Sequence, residues 1–225
     1  MNIAIILIAG NSTRLHSDTP KQFILVNEAP LFVYTTRVFN NAYEIDDIIL
    51  VTKKDSIDFV KEQVNKFHLN KVSLVCEGGA TRQESVYKGL TSKTFSDNDV
   101  ILIHDGARAL VSERIINDNI NGCKEFQAVV TALNSFDTLL ISEDNLISGY
   151  VPRDNVYKVQ TPQTFKYKII KSAHDKNIGK NMSDDSALVN MYFPVHIVPG
   201  DNRNFKITND EDLAFFKEII AAKTL

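Results

Sequence analysis

The sequence is short of cysteine, of net charge and of long apolar runs, and each shortage excludes a class of protein. Its 225 residues include only Cys76 and Cys123, too few for a disulfide framework and outside any metal-ligand spacing. The net charge of −3 gives no overall attraction to nucleic acid or to an anionic membrane. No run approaches the roughly 20 apolar residues that span a bilayer. We therefore expect a cytoplasmic protein, in a reducing compartment, with no nucleic-acid or membrane partner.

Other absences concern processing, organisation and chemistry. The apolar start has no basic segment before it and extends for only about six residues, which is not typical of a signal peptide. No internal repeat, low-complexity stretch or linker divides the chain, so we expect one domain over residues 1–225. No serine, cysteine or histidine stands in a recognisable nucleophile arrangement. Covalent catalysis is therefore not expected.

Short apolar runs alternate with helical patterns through the first 132 residues. Strands are predicted at 3–8, 47–52, 71–76, 100–104 and 128–132. Helices are predicted at 31–40, 56–67, 81–91 and 112–126. Strands that alternate with helices of this length indicate a mostly parallel sheet covered on both faces. The fold class is predicted to be a doubly wound, Rossmann-like α/β domain.

The alternation stops near residue 133. Two extended pieces, 137–142 and 149–160, flank a polar turn at 143–145 and predict a protruding β-hairpin arm over about residues 134–160. A hairpin with little apolar support is marginal alone, so we expect a second subunit to cover it in a homodimer. Beyond the arm, helices are predicted at 167–177, 183–191 and from 210, with strands at 195–198 and 205–208.

Small residues, cations and one acid follow the predicted strands, at the edge where α/β proteins bind ligands. In chain order they are Ala9, Gly10, Arg14, Lys21, Gly78, Gly79, Arg82, Ser85, Asp105, Arg108 and Lys206. Glycine lets the backbone approach an anion, main-chain N–H groups point at it, and cations neutralise it. The set as a whole, without a nucleophile, favours phosphoryl-type transfer in which the substrate's own phosphate attacks.

Each member of this set also has an ordinary interpretation. Gly78-Gly79 is typical of a plain tight turn, and Lys206 of a solvated lysine. Asp105 suits a loop cap as well as a metal-binding carboxylate. His104 is expected to be a packed, hydrogen-bonded histidine rather than a ligand or a catalytic group.

Several blocks of sequence, in order and nearly end to end, resemble the CTP-dependent sugar-alcohol phosphate cytidylyltransferases. This family includes enzymes that use 2-C-methyl-D-erythritol 4-phosphate and enzymes that use ribitol 5-phosphate. The blocks are Ala9-Gly-Asn-Ser-Thr-Arg14, Pro20-Lys-Gln-Phe23, Gly78-Gly-Ala-Thr-Arg82, His104-Asp-Gly-Ala-Arg108, Val151-Pro-Arg-Asp154, Gln160-Thr-Pro-Gln163, Ser183-Asp-Asp-Ser186 and Phe205-Lys-Ile-Thr208.

The resemblance implies roles around the nucleotide. The catalytic cations would be Arg14, Lys21 and Lys206. The nucleotide-binding residues would be Ala9, Gly10, Gly79, Arg82, Ser85, Asp105 and Ala107. Gly79 and Ser85 would hold the cytosine, Arg82 would brace their loop, and Asp105 would sit beside the ribose and a Mg²⁺ ion.

The resemblance also implies an acceptor site shared between two subunits. Thr138 and Arg153, on the arm, would contact the acceptor phosphate in the partner's site, and Thr161 would lie near the polyol. The reaction would join CMP from CTP to a polyol phosphate and release pyrophosphate. Methylerythritol phosphate, used in isoprenoid precursor synthesis, is the favoured acceptor.

Other functions stay open at this point. Ribitol 5-phosphate or a related polyol phosphate of teichoic acid or capsule synthesis is the main alternative acceptor. Ser12 and Ala109 stand where the family has glycine and proline, so a non-catalytic nucleotide-binding protein on the same scaffold is a further alternative. A generic sugar-1-phosphate nucleotidylyltransferase is a third, and it would not need Thr138 and Arg153.

Overall fold

The first apolar run forms a strand in the centre of the sheet. The structure, a computed structural model, describes residues 1–10, 19–180, 182 and 184–222. The strands are β1 (Asn2–Leu7), β2 (Leu25–Val26), β3 (Ala29–Pro30), β4 (Asp47–Thr52), β5 (Val72–Glu77), β6 (Val100–Asp105), β7 (Ala128–Asn134), β8 (Leu139–Glu143), β9 (Leu146–Val151), β10 (Tyr157–Lys166) and β11 (His196–Pro199). The helices are α1 (Leu31–Asn41), α2 (Ile57–Lys66), α3 (Arg82–Leu90), α4 (Glu113–Phe126), α5 (Tyr167–Asp175), α6 (Asp185–Asn190) and α7 (Asp210–Ala222).

Seven strands form the main sheet in the order β11-β7-β10-β6-β1-β4-β5. β10 runs antiparallel to both of its neighbours, and the other neighbouring pairs are parallel. Parallel pairing brings the carboxyl ends of β1, β4, β5 and β6 to one edge. The predicted doubly wound α/β fold is confirmed.

Alternate residues of the central strands bury on opposite faces of the sheet. In β1, Ala4 and Ile6 pack with α1, α2 and α4, whereas Ile3 and Ile5 pack with α3, α5 and α6. Each of these four side chains is at most 1% exposed. A buried isoleucine stabilises the fold by about 1.5–3 kcal/mol, so this double burial holds the strand ends, and the loops after them, in place.

The arm is shorter than predicted. β8 and β9 form a separate antiparallel hairpin, but the predicted second piece, 149–160, is divided. Its first part ends in β9 at Val151, and after a turn at Arg153–Asn155 the chain re-enters the main sheet at Tyr157 as β10. The error has a simple cause: an extended pattern predicts a strand without saying which strand it pairs with.

The predicted strand at 205–208 is wrong. The N–H of Ile207 donates to the carbonyl of Ala107 at 2.9 Å, and the N–H of Thr208 donates to the Asp212 carboxylate at 2.8 Å. One group therefore anchors a loop and the other begins α7. This segment still delivers Lys206 to the carboxyl edge of the sheet.

No helix within the described ranges combines the length and apolarity that crossing a bilayer requires.

Candidate active site

A cavity of about 420 Å³ opens at the carboxyl ends of β1 and β6, beside the loop that follows β5. Its lining includes every predicted nucleotide-binding residue and two of the three predicted catalytic cations. These are Ala9, Gly10, Lys21, Gly79, Arg82, Ser85, Asp105, Ala107 and Lys206. The third cation, Arg14, and Ser12 lie outside the described residues. Residues from four separate parts of the chain thus meet at one site.

The first loop is held by a glutamine that sequence reasoning did not single out. The buried Gln22 side chain donates from Nε2 to the carbonyls of Ile8 at 2.9 Å and Gly10 at 3.0 Å. Lys21 next to it donates from Nζ to the Ile207 carbonyl at 2.9 Å. Gln22 therefore fixes the residues that directly follow β1, and Lys21 ties its own segment to the one that carries Lys206.

The glycine-rich loop after β5 takes its shape from the first turn of α3. Ser85 Oγ accepts the N–H of Gly79 at 3.1 Å and donates to the Thr81 carbonyl at 2.9 Å. Thr81 caps the helix through the N–H of Glu84 at 3.1 Å, and the Glu84 carboxylate accepts the N–H of Ala80 at 2.8 Å. These bonds press the loop against α3. A Cβ on Gly79 would lie 2.2 Å from Glu84 Cβ, so only glycine fits there.

Three cations surround the carboxylate of Asp105, the last residue of β6. Lys206 Nζ lies 2.9 Å from Oδ2, Arg108 Nε 3.7 Å from Oδ2, and Arg82 Nε 3.5 Å from Oδ1. Burial alone would raise the pKa of Asp105, but the cations Arg82, Lys206 and Arg108 outweigh it and hold this pKa well below its usual range. The pocket therefore contains one ionised carboxylate that orients three cations.

A neutral histidine and a threonine support Asp105 from below. His104 is fully buried, and burial lowers its pKa to about 3. Its Nε2 lies 3.2 Å from the Arg108 carbonyl, which can only accept, so Nε2 carries the proton and Nδ1 accepts from Thr161 Oγ1 at 3.0 Å. The same Thr161 oxygen accepts the N–H of Asp105 at 3.0 Å. His104 is thus a packed, hydrogen-bonded histidine, as expected.

The predicted acceptor residues lie outside the cavity lining. The Thr161 side chain is 3% exposed, and its hydroxyl makes the two internal hydrogen bonds just described. Thr138 and Arg153 are exposed, on the segments that lead into and out of the hairpin arm. The contacts of these three residues with an acceptor stay predictions.

The donors around the cavity suit a metal that is bound mainly by its substrate. Asp105 is the sole carboxylate among the described lining residues, and across the described ranges no three acidic, histidine or cysteine side chains are grouped to hold a metal. Magnesium is commonly bound by one or two carboxylates together with substrate phosphates. One carboxylate in a pocket lined by cations therefore fits a Mg²⁺ ion that is bound together with a substrate phosphate.

The cation cluster predicts a pH-dependent stability. Because the folded-state pKa of Asp105 is depressed, its stabilising contribution is present above the unfolded pKa of about 3.9 and is lost as pH falls below it. We expect Asp105→Asn to lower the free energy of unfolding by about 3 kcal/mol at pH 5–7. In urea titrations this difference should shrink by about 1 kcal/mol at pH 3. Asp118→Asn, in an exposed pair with Arg114, is the control, and an Asp105 difference that is independent of pH would contradict the assignment.

A mostly parallel sheet with a glycine-rich loop, converging cations and one carboxylate at its carboxyl edge is the arrangement expected of a nucleotidyltransferase. A sequence model of 2-C-methyl-D-erythritol 4-phosphate cytidylyltransferase matches residues 2–222, and the chain belongs to this family. It is a CTP-dependent cytidylyltransferase, an enzyme that transfers CMP from CTP.

Individual relatives cover the chain almost completely. The 2-C-methyl-D-erythritol 4-phosphate cytidylyltransferase of Clostridium novyi is 40% identical, over 97% of this chain and 96% of its own length. The ribitol-5-phosphate cytidylyltransferase of Lacticaseibacillus paracasei is 33% identical over the whole of both chains. The crystal structure of 4-diphosphocytidyl-2C-methyl-D-erythritol synthase from Anaerococcus prevotii has a TM-score of 0.84 and 31% identity, and covers 97% of this chain and 95% of its own. The expected family is confirmed.

Proposed function

We propose that this cytidylyltransferase uses 2-C-methyl-D-erythritol 4-phosphate as its acceptor, in isoprenoid precursor synthesis. The observation that carries the transfer chemistry is the cavity that Lys21 lines and in which Lys206 and Arg82 lie beside Asp105, next to a glycine-rich loop. The acceptor rests on relatedness, since the Clostridium novyi enzyme is 40% identical and the ribitol phosphate enzyme 33%. Ribitol 5-phosphate is the second candidate, because that enzyme aligns with this chain over its full length.

In the proposed reaction an oxygen of the acceptor phosphate attacks the α-phosphorus of CTP. A new P–O bond forms, the bond to the bridging oxygen breaks, and pyrophosphate leaves with its electron pair. Two anions must approach each other, and the charge that builds on the α-phosphate needs fixed cations. Lys21 and Lys206, with Arg14, supply them. The loop of Gly79 and Ser85 holds the cytosine, while Asp105 and Ala107 adjoin the ribose.

We propose Mg²⁺ as the cofactor, with Asp105 as its protein ligand. When bound, the ion neutralises phosphate charge and favours the departure of pyrophosphate. Asp105 is ionised and lines the cavity, as a ligand must, and Lys206 at 2.9 Å balances its charge in the free enzyme.

The two cysteines are free thiols, which supports a reducing, cytoplasmic setting.

The test of this function is pyrophosphate release with CTP, Mg²⁺ and a panel of acceptors. The panel contains 2-C-methyl-D-erythritol 4-phosphate, ribitol 5-phosphate and glycerol 3-phosphate. We expect the highest kcat/KM with the first. Preference for ribitol 5-phosphate would overturn the acceptor, whereas CTP binding without turnover on any acceptor would favour a non-catalytic nucleotide-binding protein.

We propose that the arm completes the acceptor site of a second copy of the chain. Six apolar side chains of the hairpin are 36–74% exposed: Leu139, Leu140, Ile141, Leu146, Ile147 and Tyr150. Exposed apolar surface of this extent marks an interaction site. A partner subunit that covers it would place Thr138 and Arg153 beside the partner's cavity, and a monomer in light scattering would contradict the proposal.

Arg153→Ala is expected to raise the KM for the acceptor phosphate about tenfold, with little change in the KM for CTP. The reason is that a lost charge-assisted hydrogen bond costs about 1.5–3 kcal/mol of binding. An effect confined to CTP would contradict the arm proposal.

Mixed dimers test the shared site directly. A dimer of one Arg153→Ala and one Lys21→Ala subunit contains one site with both residues intact. At acceptor concentrations well below KM, where Arg153→Ala alone has about a tenth of wild-type activity, equal mixtures of the two variants should therefore rise to about a quarter of wild-type turnover once subunits exchange. No recovery, in mixtures that form mixed dimers, would place Arg153 in its own subunit's site.

A further inference from the structure

The cavity wall contains an arginine that is held from behind. Arg82 donates from Nη1 to Asp185 Oδ2 at 2.5 Å, while its Nε lies 3.5 Å from Asp105 Oδ1. Burial opposes the charge of Arg82, but the two carboxylates outweigh it and raise its pKa above the ordinary value. A planar guanidinium held at two points has one orientation, and its position is therefore set before any ligand arrives.

Asp185 is itself buried and has a second partner. Its side chain is 2% exposed, and Oδ1 lies 3.3 Å from Nε2 of His174, whose side chain is 1% exposed. His174 stacks on Tyr87 at a centroid distance of 6.2 Å. Neither His174 nor Asp185 lines the cavity. The order His174, Asp185, Arg82, Asp105 is thus a chain of polar contacts from α5 to the pocket, in which Arg82 alone is partly exposed.

The backbone around Asp185 is secured by other groups. Gln83 Oε1 accepts the N–H of Met182 at 2.8 Å, and Gln163 Oε1 accepts the N–H of Ser186 at 2.8 Å. Both glutamines are buried. These bonds hold the start of α6 without help from the Asp185 carboxylate. The Asp185 carboxylate is therefore not needed to anchor its own helix. Its principal effect is on the two side chains that it contacts, Arg82 and His174.

We propose that Asp185, backed by His174, is a positioning residue for CTP: it fixes the Arg82 guanidinium that braces the nucleotide loop. This rests on the proposed nucleotide site. Arg82 is the first residue of α3 and follows Thr81, whose cap shapes the glycine-rich loop. If Asp185 acts through Arg82, its effect must disappear when Arg82 is absent. If it acts as a general part of the core, its effect must persist.

The experiment is a double-mutant cycle on the full-length enzyme. Asp185→Asn should raise the KM for CTP about tenfold and leave kcat within about twofold, because ground state and transition state lose the same contact. In the Arg82→Ala background the same change should raise the KM for CTP less than about twofold further. Direct CTP binding, measured by calorimetry without acceptor, should follow the KM values.

Asp47→Asn is the matched control. Asp47 is a buried carboxylate that pairs with Lys93, but it begins β4, at the opposite end of the strands from the cavity. It should lower thermal stability and leave the KM for CTP unchanged. His174→Phe, which keeps the stacking on Tyr87 and removes the hydrogen bond, should raise the KM for CTP less than Asp185→Asn does. If Asp185→Asn does not fold, the KM for CTP of His174→Phe tests the proposal in its place.

Two results would overturn the proposal. One is an unchanged KM for CTP in folded Asp185→Asn or, failing that variant, in His174→Phe. The other is an equal additional effect in the Arg82→Ala background. Absence of cytidylyl transfer by the wild-type enzyme would be a different failure, since it would count against the proposed function. The calorimetric measurement of CTP binding would still test the role of Asp185.

Discussion

Lys21→Ala is expected to lower kcat for CMP transfer by about 10²–10³-fold, the cost of removing one preorganised donor from a site where charge develops. The Lys21 ammonium lines the cavity beside the loop that follows β1, and its bond to the Ile207 carbonyl at 2.9 Å orients it before CTP binds. Its interaction strengthens as charge builds on the α-phosphate. We therefore expect kcat to fall more than the KM for CTP rises, in steady-state pyrophosphate release.

The stability of the Lys21→Ala variant distinguishes a role of Lys21 in turnover from a role in holding the fold. Loss of one half-exposed contact should change the melting temperature by a few degrees at most. Lys61→Ala, on the exposed side of α2, removes the same charge from a residue that does not line the cavity and should leave kcat unchanged. Near-normal turnover in Lys21→Ala would remove Lys21 from the transition state.

Gly79→Ala is expected to lower kcat/KM for CTP about 100-fold, a loss typical of a misplacement of about 1 Å in a site. The added Cβ would lie 2.2 Å from Glu84 Cβ and 3.0 Å from the Glu84 carbonyl carbon. The backbone at Glu84 belongs to α3 and cannot retreat far, so the loop must move outward, into the space for the nucleotide.

Gly122→Ala is the control for a tight glycine that is remote from the cavity. Its Cβ would contact Val129 and Val198 at 3.1 Å inside the core, and it lies in the middle of α4. We expect some change in melting temperature and no change in kcat/KM for CTP. If both variants lower kcat/KM equally, general destabilisation rather than loop position explains the effect of Gly79→Ala.

The sequence predicted the sheet and the pocket edge because both depend on local patterns. Buried apolar runs such as that of β4 can be recognised as strands directly from the sequence. A glycine or cation that follows a strand must then fall at the carboxyl edge, because the strands are parallel. The pairing of the segment after Pro152 depends on a distant strand, and its prediction was incomplete. The hydrogen bonds of residues 205–208 also depend on distant partners, and the strand predicted there was wrong.

The supporting residues of the site were harder to predict. Gln22 and Asp185 stand in blocks that resemble the family, but nothing in a single sequence says that Gln22 turns inward to Gly10 or that Asp185 reaches Arg82 across 103 positions. Thr161 likewise lies behind Asp105 only because β10 runs antiparallel beside β6. Such contacts follow from topology, not from spacing along the chain.

The course of β10 restricts how this enzyme can diverge. The strand leaves the arm at Tyr157, pairs with β7 and, from Gln163, also with β6, and is buried from Gln160 to Phe165, with Thr161 bonded to Asp105. A substitution at Thr161 would disturb the support of Asp105, and one elsewhere in this buried stretch would disturb the sheet, so we expect natural variation there to be confined to conservative changes. The exposed hairpin neither pairs with the main sheet nor supports Asp105. Relatives that differ in acceptor can therefore be expected to differ first in the arm, while the strand that connects it to the nucleotide site stays constant.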